Sequence, residues 1–197
     1  MDEKLRQRYE NLKSLFDNES RKEAFQNLVK FVETKTEYLT APASTKYHLN
    51  RECGLLEHSV NVTEYLLRLR KTLAPEIPVS SCIIVGLFHD LGKVGMPGNP
   101  YYVPGIPTAR QKKYGYSATN KYSINPKLLH MSHAHRSIYL ILPNMMLTEN
   151  ETQAILCHDG MYIDDNKSYA HKEGDLAVLL HYADFWSCRK EPVDEEA

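Results

Sequence analysis

Six ionisable residues stand where the helical pattern calls for apolar ones. His58 keeps i, i+4, i+7 spacing with Val62, Tyr65 and Leu69, while His89 follows Cys82 and Val85, and Asp90 follows Ile83 and Leu87. His135 lines up with Ile138 and Leu142, His158 with Glu151 and Ile155, and Asp184 with Leu176 and Leu180. Burying four imidazoles and two carboxylates one by one would be costly unless each found a partner. A shared divalent cation meets that need. Nitrogen and carboxylate oxygen together suit Mn²⁺, Fe, Co²⁺, Ni²⁺ or Zn²⁺, with Mg²⁺ as a further candidate. A helical bundle can aim donors from different helices at one place. A lone inward histidine reads more simply as a hydrogen-bonded core residue, but six such residues on successive inner faces do not.

The elements that must hold them are helices, because apolar residues recur at helical spacing almost throughout and no repeat or low-complexity tract interrupts them. Leu5, Tyr9, Leu12 and Phe16, then Phe25, Leu28, Val29 and Val32, mark two amphipathic helices within residues 1–39. An irregular connection over residues 40–50 leads to a long helix from about residue 54 to 73, stopped before Pro75. The next starts near Val79 and ends around Gly92, which suits a left-handed cap. Residues 94–126 are rich in Gly, Pro and Tyr, and are expected to form a lid or binding loop, or else a loose insertion. Ser132 can cap a helix reaching Leu142, Thr148 with Glu151 makes a capping box for one reaching about Asp159, and Asp175 can cap a last helix over residues 176–188. Residues 189–197 read as a frayed tail. The expectation is one all-α domain over residues 1–197 with its metal-binding core in 40–188.

Length and composition agree with one core. A chain of 197 residues, 42% hydrophobic and 25% charged, is an ordinary globular one that buries about 70% of its unfolded surface. The net charge of −1 disfavours a duplex nucleic-acid binder. The apolar run at 82–88 is too short to span a bilayer, and the opening MDEKLRQRYE has no signal-peptide core, so the expectation is a cytoplasmic protein without a membrane partner, monomeric or homodimeric. Cys53, Cys82, Cys157 and Cys188 form no CxxC pair and are expected to be reduced.

The ordered series His58, His89 and Asp90, His135, His158 and Asp184, with LLEHS around the first histidine and HDLGK around the pair, resembles the HD-domain superfamily of metal-dependent phosphohydrolases over roughly residues 40–188. The stretch APASTKYH followed by GLLEHS is further similar to the HD domain of certain bacterial 3′-to-5′ exoribonucleases and their stand-alone relatives. The resemblance implies an HD-domain helical bundle with one metal held by His58, His89, Asp90 and Asp184. It implies a second held by His135 and His158, with Asp90 bridging. His133 rivals His135, but the RSIYLI run after His135 matches the family's helix better. His48, His130, His171 and His181 are assigned to packing, capping or the surface.

Two such ions would leave the site positive, draw in a phosphate ester, and supply hydroxide to phosphorus at neutral pH by lowering the pKa of a shared water. Asp90 and Lys93 are the expected catalytic pair, Lys93 contacting a phosphate oxygen as the family's lysine is thought to do. As a bland alternative, Lys93 merely complements a helix C-terminus. Arg136 is a weaker phosphate candidate. Tyr114, Tyr116 and Lys121 are expected to stack on a base and hold its phosphates, which points to a nucleotide or short oligonucleotide as substrate. Two departures bear on this: Asp159 follows His158 where part of the family has a second histidine, and the GYP motif of the cyclic-dinucleotide branch is missing. The alternatives are a catalytically silent HD domain that binds a nucleotide or protein partner, an exonuclease-like phosphodiesterase, and a purely structural metal site.

Overall fold

In the computed structural model, which describes residues 1–161 and 163–192, the chain is mostly helical. Helix α1 (Glu3–Ser14) is capped by the Asp2 carboxylate, which accepts from the Leu5 amide at 2.6 Å, and it buries Leu5, Tyr9 and Leu12. Helix α2 (Lys22–Lys35) buries Phe25, Leu28 and Val32, and Phe16 stacks on Phe25 with ring centroids 4.1 Å apart. Both helices add to the single core, α1 lying on α3.

Helix α3 (Gly54–Leu73) is the central strut, packed against α4 (Val79–Phe88) on one side and α8 (Asp175–Lys190) on the other. Helix α4 is apolar but for Ser80 and Ser81 and is buried from Ser80 to Phe88, as a helix enclosed by others must be. It approaches α3 closely at Gly86, where a Cβ would stand 2.9 Å from the Thr63 Cα. The buried Tyr38 hydroxyl donates to the Leu87 carbonyl at 2.6 Å and ties the connection after α2 to the same helix.

The chain does not stop at Gly92. A 3₁₀ turn, Leu91–Val94, continues α4, and the left-handed residue is Gly95, at φ +82°. Gly92 is instead a packing residue: its amide donates to Ser137 Oγ at 2.7 Å, and a Cβ would collide with the His133 carbonyl of α6. Residues 94–126 are not without regular structure. Strands β1 (Gly95–Met96) and β2 (Asn99–Pro100) pair antiparallel, as do β3 (Tyr102–Pro104) and β4 (Tyr122–Ile124), with the capped helix α5 (Ala109–Tyr114) between the latter two. The buried Asn125 bolts the ladders together by donating to Asn99 Oδ1 and the Pro100 carbonyl, both at 2.8 Å. These short strands are the departure from a purely helical expectation.

Helix α6 (His133–Ile141) has the foreseen Ser132 cap, and α7 (Glu149–Cys157) the foreseen Thr148–Glu151 capping box. The Glu151 carboxylate, fully buried, also receives Arg21 in a bidentate pair at 2.7 and 2.8 Å and the Ser81 hydroxyl at 2.7 Å, joining α2's entry to α4 and α7. Asp175 lies inside α8 rather than capping it, Gly174 taking the cap position, and the helix runs to Lys190 instead of Cys188. Residues 191 and 192 do not fray: Glu191 is buried, and the Pro192 carbonyl accepts from the Leu49 amide at 2.9 Å. The rest of the expected tail, 193–197, lies outside the described residues. All four cysteines are free, and no described helix is long and apolar enough to cross a membrane.

Candidate metal centre

Five segments converge on one buried point. His58 comes from α3, and His89 and Asp90 from the end of α4 and the turn below it. His133 is the first residue of α6, His158 and Asp159 follow α7, and Asp184 comes from α8. The imidazoles form a contiguous run, with ring centroids 5.4 Å apart for His58 and His89, 4.8 Å for His89 and His158, and 5.1 Å for His133 and His158.

Three of the four rings are held from behind. The Nδ1 atoms of His58, His89 and His158 sit 2.9, 3.0 and 2.7 Å from Glu191 Oε2, the Gly86 carbonyl and the Ile155 carbonyl. Carbonyl oxygens only accept, so His89 and His158 carry a proton on Nδ1, and when either ring is neutral its lone pair is on Nε2. Such outer partners fix both tautomer and ring angle in metal-ligating histidines.

The inward atoms fall into two sets around Asp90. His58, His89 and Asp184 form one, His133, His158 and Asp159 the other, each set having its donor atoms within 4.8 Å of one another. Asp90 lies between them. Its Oδ2 is 3.5 Å from His58 Nε2 and 3.7 Å from His89 Nε2, and its Oδ1 is 3.4 Å from the Nε2 of both His133 and His158. Each carboxylate oxygen thus faces one set, the disposition a bridging ligand needs.

Two buried atoms, His89 Nε2 and Asp90 Oδ1, have no hydrogen-bond partner at all. Buried polar groups seldom go unpaired, and here both point into the same donor-lined space. His133 Nε2 and His158 Nε2 also face each other at 3.2 Å, so without a cation a proton must lie between them. The donor set fits divalent cations: two nitrogens and one carboxylate on each side, with Asp90 shared.

The charges of the protein alone tell the same story. Burial disfavours the Asp90 carboxylate, but Lys93 and His89 hold its pKa well below the usual range. Asp184 is likewise depressed, against burial, by its bond to His58, and Asp159 falls to about 2, again against burial, by its bond to His133. Burial would keep His58 neutral, yet Asp184 and Glu191 raise it to about 10; burial opposes the charge on His158 too, and Asp90 raises it to about 9. His89, where burial wins, drops to about 4. The positive charge on His58, His158 and Lys93 therefore balances the carboxylates, and a cation can take that place as protons leave.

His135 does not join the cluster: it is exposed, its Nδ1 2.6 Å from the Ser132 hydroxyl, and His133 occupies the place expected for it. Because Ser132 caps α6, His133 shares its face with Arg136, Ser137 and Leu140, all buried, whereas His135 shares the face of Tyr139 and Leu142, both exposed. Lys93 lies at the rim, its Nζ 2.6 Å from Asp90 Oδ2 and its side chain 17% exposed. Arg136 is buried rather than free for a phosphate, holding the Leu129 carbonyl at 2.8 Å. Tyr114 and Tyr116 are exposed, their rings 6.5 Å apart, and Lys121 is exposed beside Tyr122; none of them has a contact with the cluster among the described residues. The tyrosines of the segment that do lie near Lys93 are Tyr101 and Tyr102, whose phenols burial raises and the lysine's charge partly offsets.

Two contributors escaped the sequence pattern, and a third, His133, stood there only as the rival of His135. Asp159 could have been found from its adjacency to His158. Glu191, in a charged stretch, gave no signal. A scan of family models and searches of curated proteins and of solved structures give no match to the chain.

Proposed function

We propose that the chain is an HD-domain metal-dependent phosphohydrolase that cleaves a phosphate ester of a nucleotide or short oligonucleotide. The observation that carries this reading is Asp90: a buried carboxylate with one oxygen facing each of two His–His–Asp sets, between imidazoles whose lone pairs are fixed inward. A pair of divalent ions held by His58, His89 and Asp184 and by His133, His158 and Asp159, with Asp90 common to both, would supply Lewis-acid activation of water and of the phosphate.

The chain's own residues do the rest. Glu191, Gly86 and Ile155 hold the imidazoles in the donor tautomer and angle. Exposure is graded: Asp90 and the side chains of His58, His89 and His158 are buried, while Asp184, Lys93, His133 and Asp159 are 15, 17, 21 and 36% exposed. This partly open mouth favours a reacting substrate over a purely structural site, which would be closed all round. Lys93 offers an ammonium to a non-bridging phosphate oxygen there, at the cost of loosening its pair with Asp90. Three carboxylates against two divalent ions and Lys93 leave the mouth positive, which suits an anionic ester. Tyr101 and Tyr102 on the Lys93 side are the aromatic groups nearest that mouth and the best placed to meet a base.

The test is product analysis by chromatography after incubating the Mn²⁺-loaded protein with nucleotides, cyclic nucleotides and short oligonucleotides, beside the Asp90→Ala variant. Turnover by the wild type alone is expected, and the product names the bond cleaved. No turnover with Mn²⁺, Fe²⁺, Co²⁺, Ni²⁺, Zn²⁺ or Mg²⁺ overturns the reading in favour of a binding module.

A further inference from the structure

We infer that Glu191 is the positioning residue of the His58 set, selecting the His58 tautomer that presents a donor atom to the metal centre. The inference rests on the metal-dependent reading above but assigns a role to a residue outside the HD-like stretch.

Glu191 follows α8 and is 9% exposed, an unusual place for a carboxylate. Its two oxygens do different work. Oε2 faces His58 Nδ1 at 2.9 Å, while Oε1 accepts from Asn61 Nδ2 at 2.8 Å and from the Ser187 hydroxyl at 2.6 Å. Asn61 is itself oriented by Arg8, whose guanidinium donates to Asn61 Oδ1 at 2.7 Å, so its amide hydrogens must point at Glu191. With Oε1 saturated by two donors, Oε2 is left as an acceptor that requires a proton on His58 Nδ1. The Nε2 atom, 3.2 Å from Asp184 Oδ1, is then the one with a lone pair to give when the ring is neutral. His89 and His158 get the same service from backbone carbonyls of their own helices. His58 lies in the second turn of α3, where the carbonyl three residues back, that of Leu55, already accepts from the Ser59 hydroxyl at 2.9 Å, so a side chain from a distant segment supplies the acceptor.

This arrangement makes the isosteric variant informative. In Glu191→Gln, Asn61 and Ser187 still donate to the oxygen side, so the amide NH₂ turns to His58 Nδ1 and can only donate there. The proton moves to Nε2, against the metal set. Shape and most hydrogen bonds are kept, and the donor atom is lost. Adding Asn61→Asp reverses this: an aspartate at 61 still accepts from Arg8 and now accepts the amide NH₂, which frees the amide oxygen for His58 Nδ1–H.

The experiment is Mn²⁺ titration by calorimetry of wild type, Glu191→Gln, Glu191→Ala and Glu191→Gln/Asn61→Asp. It is paired with ¹⁵N-detected histidine spectra of each protein loaded with diamagnetic Zn²⁺ and a circular dichroism check of folding. Expected are a roughly 10–100-fold weaker first site in both single variants, an unchanged site at His133, His158 and Asp159, an Nε2-protonated His58 in Glu191→Gln, and recovery in the double variant. Folded single variants with both affinities unaltered would overturn the proposal and leave Glu191 as a tether for the segment after α8. A third Mn²⁺ per chain in the wild type, lost with Glu191→Gln and with Cys188→Ser, would overturn it differently, by making Glu191 a ligand with His48 and Cys188, which lie in the same cluster. A wild type that binds no metal ion would instead overturn the metal-dependent reading itself, and the positioning role with it.

Discussion

Gly86→Ala tests how closely the metal centre depends on the α3–α4 contact. A Cβ there would stand 2.5 Å from Thr63 Oγ1, 2.9 Å from Thr63 Cα and 3.0 Å from Thr63 Cβ, where ordinary contact begins at 3.4 Å. The helices must part by about 0.5 Å at the backbone and 0.9 Å at the hydroxyl, distances obtained by subtracting those contacts from 3.4 Å. A rotamer change cannot absorb a clash with Cα, so the cost is that of overpacking a dense core, about 1–3 kcal/mol. At about 2–4 °C per kcal/mol for a chain of this size, Tm falls by about 2–12 °C. The effect reaches the site because the Gly86 carbonyl holds His89 Nδ1 at 3.0 Å and the next residue is Asp90, common to both sets. Mn²⁺ affinity should therefore drop about tenfold or more, as when an outer partner of a ligand is lost. Differential scanning calorimetry and metal titration read the two effects. Thr63→Ala in the same background removes the hydroxyl clash and leaves the Cα one, so recovery should be partial. A variant that melts with the wild type and binds Mn²⁺ equally well would refute both the packing and its link to His89.

His133→Ala should abolish one of two bound Mn²⁺ ions while His135→Ala keeps both, as counted by plasma mass spectrometry after dialysis; the opposite result would restore the ligand expected from the RSIYLI run. Arg21→Ala should destabilise by about 3 kcal/mol in urea, the low end for breaking a buried pair, because Ser81 and the Thr148 amide still donate to Glu151. The sign with pH follows from Glu151, whose pKa lies below its ordinary 4.5, held down by Arg21 against burial. Its contribution is complete above about pH 4.5 and lost as the pH falls below that, so the gap between wild type and Arg21→Ala should narrow in acid; a gap constant from pH 7 to 3 would refute the pair. Lys93→Met should lower kcat about 10²–10³-fold on a phosphate ester while Mn²⁺ stays bound, in line with loss of one preorganised donor.

Much of this was legible because local rules and tertiary structure agree. The span of α3, the Ser132 cap and the Thr148–Glu151 box follow from residues close in sequence, and the structure has them where the pattern puts them. His135 shows where a pattern misleads. Ile138 and Leu142 look like a core stripe, but Leu142 is 42% exposed, and the face that packs against the turn after α4 is a polar-looking one of His133, Arg136 and Ser137. Burial there is decided by Gly92, whose missing side chain lets the His133 carbonyl approach, and no periodicity within α6 encodes that. Glu191 was illegible for a different reason: RKEPVDEEA is charged enough to look solvated, and its partners, the buried His58 and the half-buried Asn61, lie in α3. The ladders of residues 94–126 are only two or three residues long, too short for alternation to register.

The two donor sets also differ in when synthesis can complete them. His133, His158 and Asp159, with Asp90, are all present once residue 159 has emerged; α7 packs on both α4 and α6, and α6 packs on the turn after α4. The set around His58 must wait for Asp184 and for Glu191, 133 residues downstream of the histidine it anchors. Since α8 is also the second large partner of α3, the nascent chain carries a half-built centre beside an uncovered helix until that segment arrives. Cation capture at the His58 set would thus report a finished fold, while capture at the His133 set could precede it.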